Sequence, residues 1–559
     1  MGKFVFKKTI RRSTILFLFF VLFSPMPQDL SAIPFSMISA GDPVLDDLRL
    51  LVRESGSSFR SFTPPLSRDE ILQILDEIDP ESLAPPLREL YDGIYGALSP
   101  ALLYAGGLFG LEAHVNLAPE IHVRTNTNIP FSKPDTESPL ALTLPLTAYF
   151  ADTAELAIVP SISADPLYYA EQGFPWGVNI PYEARRFDMN MPLRAFIAAG
   201  GSWWNFQLGR DKVSYGLAHT GNLALSATPD YYDFARLSLF SRNFKYSAFV
   251  SQMPLNLEDP QILSDKHKRA AGAGALLNTT QRYLYHHRID ARFFRRVSLG
   301  ISEALMAGNS SPELRYMSPL IVMHNAWPWR DYEEWGTGEK GYMTGSLFSF
   351  DLDWAIIPSL ALYGQFVLNE FSTPYELENY PEDQPPNGLG YLAGIEYTHV
   401  FSAWKALAYG EFVYTDPYLY TLSSPFASYV WMRRLSEVGA KPLRYKWIGH
   451  GEGRDMMLFA LGASVSKTDL LLSADISLVN RGEHTIEWDW TQTGAALKER
   501  APTGIAERRL TLGLGAVWRP LARLSLSGYA AGVLLLNAGH RAGLNEAGLE
   551  LYLSATLSY

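Results

Sequence analysis

Aromatic and charged side chains crowd into one run, Trp327-Pro328-Trp329-Arg330-Asp331-Tyr332-Glu333-Glu334-Trp335. Such a mixture suits polyhydroxylated ligands, because sugar C–H faces stack on rings while hydroxyls need directional partners. Trp327, Trp329 and Trp335 are therefore glycan-binding candidates, and the competing reading makes these tryptophans an aromatic girdle at a membrane interface. A second set lies in Gly209-Arg210-Asp211-Lys212-Val213-Ser214-Tyr215-Gly216, which leads into Gly221-Asn222-Leu223-Ala224-Leu225-Ser226. Charges here follow directly on a strand-like stretch, and the glycines permit close backbone approach. Arg210 and Asp211, with Tyr215 beside them, read either as a ligand or plug contact inside a lumen or as a turn closed by a salt bridge. Glu303, a further glycan-binding candidate like Arg210, Asp211 and Tyr215, shares a face with Val297 and Leu299 under strict alternation, so it calls for a bulge, an inward-facing pair or water.

Signatures of catalysis are weak. The chain has no G-x-S-x-G, no H-E-x-x-H and no Walker loop. Gly272-Ala273-Gly274 lacks the third glycine of a phosphate cradle and reads as a loop. His286 and His287 are strand neighbours that face opposite ways, which is poor metal geometry. His450, Glu452 and Asp455 have the donor types of a ligand or acid–base set, with a Gly-rich polar loop as the alternative. A non-enzymatic protein without cofactor or metal is the expectation.

The elements that must position these residues are strands. Leu549, Leu551, Leu553, Ala555, Leu557 and Tyr559 alternate with Glu550, Tyr552, Ser554, Thr556 and Ser558. One face of that final strand is greasy and ends on an aromatic residue, which suits a closed barrel with lipid on its apolar face. The same period runs from Gly106 onward, where Leu111, Ala113, Val115 and Leu117 alternate with Glu112, His114 and Asn116. Alternation recurs through residues 140–535 without intervening amphipathic helices, which argues against a parallel α/β sheet. Residues 106–559 predict about 16 to 20 antiparallel strands. A soluble propeller or sandwich array is the rival all-β architecture, but no blade-length repeat is present. Pro-, Asp-, Glu- and Asn-rich stretches at 132–138 and 374–387 read as exposed loops.

Residues 33–105 have a different period. Leu45, Leu48 and Val52 recur at helical spacing, and Pro64-Pro65 interrupts the chain. Ser67 with Glu70 forms a capping box ahead of Ile71, Leu72, Leu75 and Ile78, with Pro80 ending that helix. A third helix is expected from Leu87 to about residue 98. Some sixty residues in short helices make a poor core alone, so they should pack on the barrel or a partner.

At the amino terminus Lys3, Lys7, Lys8, Arg11 and Arg12 precede nine apolar residues, 15–23, too few to span a bilayer. Residues 1–32 read as a signal peptide ending near Ala32. Their five basic groups and Asp29 leave the rest of the chain at −15, from −11 for the whole. An acidic balance offers no footprint for nucleic acid, and the lack of cysteine removes disulfides and lipoprotein acylation.

Several segments together resemble the capsule-assembly Wzi family of outer-membrane proteins. They are Gly209-Arg210 with Tyr215-Gly216 and the 221–226 stretch, His287-Arg288 leading to Gly300-Ile301-Ser302-Glu303, Leu362-Tyr363-Gly364-Gln365-Phe366-Val367-Leu368-Asn369-Glu370-Phe371, and Ile448-Gly449-His450. Pro64-Pro65-Leu66-Ser67-Arg68 ahead of a helix fits the same plan. The resemblance implies an all-β fold, an antiparallel transmembrane β-barrel of about 18 strands behind a small helical periplasmic domain. It also implies a surface lectin that binds or helps attach capsular-type polysaccharide, and it adds Glu370 to the glycan candidates. Outer-membrane lipid, surface polysaccharide and a barrel-assembly machinery reading the strand from Leu549 to Tyr559 are the partners expected. An outer-membrane porin for small solutes is the alternative function.

Overall fold

Period-two alternation is realised as a single antiparallel sheet with the burial of a soluble protein turned inside out. The computed structural model describes residues 34–559 apart from 107, 134–138, 165–172, 182–191, 255–280, 309–311, 320–321, 324–343, 381–383, 422–426, 435–442 and 487–497. Among the described residues the sheet holds 24 strand pieces. From Ala195–Gly201 onward, successive strands pair in chain order, except that Trp404–Thr415 pairs with Met456–Lys467 and the residues between them hold a separate hairpin. The first strands are broken into short pieces. The final strand, Glu546–Ser558, pairs with two of them, aligning Leu553 with Ile121 and Leu557 with Leu117.

Leu549, Leu551 and Leu553 are exposed, whereas Glu550 and Tyr552 between them are buried. The same inversion holds around the sheet. Leu237, Ile301, Phe350, Ile395, Leu461 and Leu512 are exposed; Arg236, Arg288, Asp290, Asp353, Glu396 and Glu411 are buried. An apolar outer face of this extent is stable against lipid, while in water it would drive association. None of the described helices is long and apolar enough to cross a membrane.

Three helices precede the sheet: α1 (Pro43–Glu54), α2 (Arg68–Leu75) and α3 (Pro85–Ala97). Asp42 caps α1 by accepting from the Val44 amide at 3.0 Å, and Pro43 stands where a missing N–H costs nothing. The expected capping box opens α2: Ser67 Oγ accepts from the Glu70 amide at 3.3 Å, and Glu70 Oε2 accepts from the Ser67 amide at 3.2 Å. This helix stops at Leu75, short of Pro80. A tight turn follows, with Ile78 donating to the Leu75 carbonyl, and Pro80 instead opens a 3-10 turn, Pro80–Ser82. The stretch expected as pure loop after residue 373 also holds a short helix, Pro374–Asn379, capped by Thr373 and Glu376.

The helices do not build a core of their own. Leu48, Leu51, Ile71, Leu75 and Ile94 are buried in one cluster with Tyr215, Leu223, Phe249, Leu392 and Val413 from the sheet and its loops. Each such burial contributes roughly 1.5–3 kcal/mol. Polar contacts place the helices at the end of the sheet where strands are joined by short turns. Arg60 Nη1 donates to the Ser241 carbonyl at 2.6 Å, the Ser58 amide to the Arg295 carbonyl at 2.9 Å, and the Ser359 amide to the Arg53 carbonyl at 2.9 Å. Glu70 serves α2 and the wall together. Burial pushes its carboxyl up, but Lys245 Nζ at 2.5 Å and the Arg60 guanidinium outweigh that and hold it below the ordinary carboxylate value.

Leu551→Arg puts a charge on the exposed apolar side of the last strand. It should cost about 2–4 kcal/mol if the site lies near the bilayer midplane, read as a lowered denaturant midpoint in lipid vesicles. Unchanged stability would count against lipid contact at this face.

Candidate functional site

The interior is occupied rather than open at its centre. After the Trp204–Asp211 strand, residues 212–226 fold inward and meet the segment that follows α1. The Ser214 amide donates to the Pro64 carbonyl at 3.1 Å and the Gly216 amide to the Phe62 carbonyl at 2.9 Å. Gly216 has φ +126°, and a Cβ there would lie 2.3 Å from both Asn222 Oδ1 and Gln365 Nε2, so only glycine fits. Gln365 on the wall clamps the segment twice, accepting from the Leu223 amide at 2.7 Å and donating to the Tyr215 carbonyl at 3.0 Å. Tyr420 OH donates to the Leu223 carbonyl at 2.6 Å, which lays a second inward segment over the first.

The tip of this plug rests on two wall carboxylates. His219 Nε2 lies 2.7 Å from Glu396 Oε2, and the Thr220 hydroxyl and amide donate to Glu411 Oε2 at 2.5 and 2.9 Å. Glu396 also takes Arg49 Nη2 at 2.5 Å and Arg53 Nε at 2.9 Å from α1. Burial, reinforced by the Arg49 charge, holds the His219 imidazole below its ordinary value. It therefore stands neutral at pH 7 and donates Nε2–H to Glu396.

Beside the plug a cavity of ≈ 470 Å³ runs along the strands from Met456–Lys467 to Leu524–Leu536. Tyr409, Tyr529 and Tyr552 line it, with Ser473, Asp475 and Thr511 among the small and polar groups between them. Glycines set two of these rings: a Cβ at Gly462 would lie 2.3 Å from Tyr409, and one at Gly513 would lie 2.1 Å from Tyr529 OH. His219 stacks on Tyr409 with ring centroids 4.0 Å apart, so the plug forms part of the cavity wall. Tyr529 OH donates to Asp475 Oδ2 at 3.1 Å, and Lys133 Nζ lies 5.4 Å from the Tyr552 ring centroid and 3.4 Å from Glu120 Oε2. Toward the long loops Glu452 receives Arg481 and Arg509 together. Burial pushes the Glu452 carboxyl up, yet Arg509 and Arg481 bring it down to about 2, so it is ionised across the physiological range.

The sequence candidates are dispersed. Arg210 lies on the outward face with Leu208, not in the lumen, and makes a two-pronged pair with Asp233 on the next strand at 2.7 and 2.9 Å. The salt bridge of the second reading is present without its turn, since the strand continues through Asp211. Asp211 faces inward and accepts from Ser39 Oγ, ahead of α1, at 2.6 Å. Tyr215 is wholly buried against His286 and anchors the plug. Glu303 keeps the outward side that alternation demands, without a bulge. Tyr316, Met317 and Met323 pack over this part of the outer face, and the Met323 amide donates to the Glu303 carboxylate at 2.7 Å. Glu370 lies just past the Leu360–Leu368 strand, where burial raises its carboxyl to about 7. Trp327, Trp329 and Trp335 lie outside the described residues. Asp455 fixes loops by accepting from the His484 and Thr503 amides at 3.0 and 2.9 Å, as the polar-loop reading of that stretch expects. The cavity tyrosines were missed, although Tyr552 and Tyr529 stand on the polar side of their alternating strands and carried that signal.

The architecture matches Wzi of Escherichia coli, described as an outer-membrane protein involved in group 1 capsule assembly and a carbohydrate-binding β-barrel, with a TM-score of 0.57. The fold is Wzi-like. The match covers 93% of this chain and 99% of that one at 15% identity, so the likeness is one of fold. OmpT of Vibrio cholerae aligns over 82% of this chain and all of its own (100%), at 9% identity and a TM-score of 0.33. The outer-membrane channel DcaP of Acinetobacter baumannii aligns over 81% and 97%, at 8% identity and a TM-score of 0.32. No protein-family model and no curated protein matches the sequence.

Glu396→Gln should leave two arginines of α1 facing a neutral amide and cost about 3 kcal/mol or more. The readout is a lower unfolding midpoint with faster proteolysis within residues 212–226; a wild-type midpoint would remove Glu396 as the anchor. The Glu370 carboxyl has a folded value above its ordinary 4.5, so its stabilising contribution is complete below pH 4.5 and lost as the pH rises through about 7. Glu370→Gln should flatten that part of the stability–pH curve, and an unchanged slope would contradict the assignment.

Proposed function

We propose that this chain is a non-enzymatic outer-membrane β-barrel that binds surface polysaccharide and helps attach it to the cell. Counting the broken first pieces as single strands, we read the sheet as a barrel of about eighteen. In this reading α1, α2 and α3 face the periplasm, and the last strand with Tyr559 serves as the signal read by the barrel-assembly machinery. The observation that carries the function is the filled centre of the lumen beside a tyrosine-lined, hydroxyl- and carboxylate-bearing cavity. A diffusion channel needs a continuous aqueous path, whereas a lectin needs rings and directional hydrogen-bond groups in a fixed arrangement. The likeness to a carbohydrate-binding barrel supports the same choice.

Cells lacking the gene should shed polysaccharide into the medium that wild-type cells keep on their surface. The purified protein in planar bilayers should pass little current. Full retention of polysaccharide in the deletion strain would falsify the attachment role, and a large steady conductance would favour the porin alternative.

A further inference from the structure

The loop-side end of the cavity carries more than a neutral sugar needs. Arg481, the last residue of Leu470–Arg481, and Arg509, on the paired Glu507–Leu521 strand, point inward together. Each gives one Nη2 to the same carboxylate, Glu452. Glu507, opposite Arg481 across the strand pair, and Glu550 also act on Arg509, but the direct contacts of the two guanidiniums go to Glu452. The Nε–H of each is buried and has no hydrogen-bond partner among the described residues. Unsatisfied buried donors are costly, and a planar guanidinium presents its Nε and Nη donors as a fork that fits a carboxylate. Neither group is sealed off, since the Arg481 and Arg509 side chains retain 32% and 21% of their surface.

Farther along the cavity the chemistry changes. Asp475, Ser473 and Thr511 offer hydroxyl-binding groups, and Tyr529 offers an aromatic surface. A cationic guanidinium fork at one end and a hydroxyl- and ring-lined body at the other match an acidic saccharide. We propose that the cavity takes a carboxylate-bearing sugar unit, of the uronic acid class, with its carboxylate on Arg481 and Arg509 in competition with Glu452. This deepens the polysaccharide-binding reading and rests on it.

Glu452 then sets affinity instead of merely bracing a loop. Neutralising it frees both arginines, so Glu452→Gln should tighten binding of an acidic polymer. A bracing role predicts the opposite, since the loop would loosen and all binding would weaken.

The test uses the purified full-length barrel in detergent and surface polysaccharide from the producing cells. The polymer is used both native and after carbodiimide–borohydride reduction of its carboxylates, with binding followed by calorimetry. Native polymer should bind at least tenfold tighter than reduced polymer. Glu452→Gln should raise the preference for native over reduced polymer several-fold. The pair Arg481→Lys with Arg509→Lys, which keeps charge but loses the fork, should bring native binding close to the reduced level. Heat-modifiable migration on gels reports whether each variant is folded, and if Glu452→Gln is not, the lysine pair decides alone. Equal binding of native and reduced polymer, or a Glu452→Gln variant weakened toward both, overturns the carboxylate fork while leaving polysaccharide binding in place. Binding of neither polymer overturns both readings.

Discussion

One buried carboxylate, Glu396, holds together parts of the chain that are more than three hundred residues apart. Taking a carboxylate out of water costs several kcal/mol, recovered only where geometry is good and the remaining lone pairs are satisfied. Glu396 meets that condition with Arg49 and Arg53 from α1 and His219 from the plug. Arg53 reaches on to Asp353 at 2.8 Å, and the Phe59 amide donates to the same aspartate at 2.8 Å. None of these groups is adequately paired without the others. Helices, plug and wall are therefore one cooperative network, and the absence of a separate helical core follows from it.

Charge pairs of the same kind recur around the wall. Arg288 meets Asp290 and Asp351, Arg292 meets Glu77 of the helical segment, and Ser61 donates to Asp290. The polar strand faces that would line an aqueous pore are thus largely spent on protein. Where the plug is anchored the wall carries long charged side chains; across the lumen it carries Ser473, Ser477, Thr511, Gly515 and Ser527. Small side chains cannot reach a central segment, so space remains there. The position of the cavity is set by side-chain length around the ring.

The legible part of this molecule was whatever depends on local period. Alternation gave the strands and their faces, down to Leu551 outside and Tyr552 inside, and Ser67 with Glu70 gave the start of α2. The same rule applied to Arg210 places it with Leu208 on the outer face, so its inward reading went against a signal already present in the alternation. Alternation put Glu303 on the apolar side, but the covering residues Tyr316, Met317 and Met323 come from a stretch with no period to read. The pairing of Arg49 with Glu396 was out of reach, since either residue alone resembles any charged surface group. Capping boxes and alternation are written within a few residues; ion pairs between distant elements are written only in the folded chain.

Plug and cavity also share atoms, which limits how independently they can behave. His219 donates to Glu396 on one side and stacks on Tyr409 of the cavity on the other. Thr220 donates to Glu411, and its hydroxyl lies 3.3 Å from His450 Nε2. Burial holds the His450 imidazole below its ordinary value, and its Nδ1 accepts from the Glu452 amide at 3.2 Å. A continuous line of contacts thus runs from the Glu396 and Glu411 anchors to the carboxylate that faces Arg481 and Arg509. Shifting the plug tip would remove one wall of the cavity and the support of Glu452 in the same movement. The cavity keeps its shape because the plug is seated, and the plug is seated because the charges on α1 are neutralised on the opposing wall.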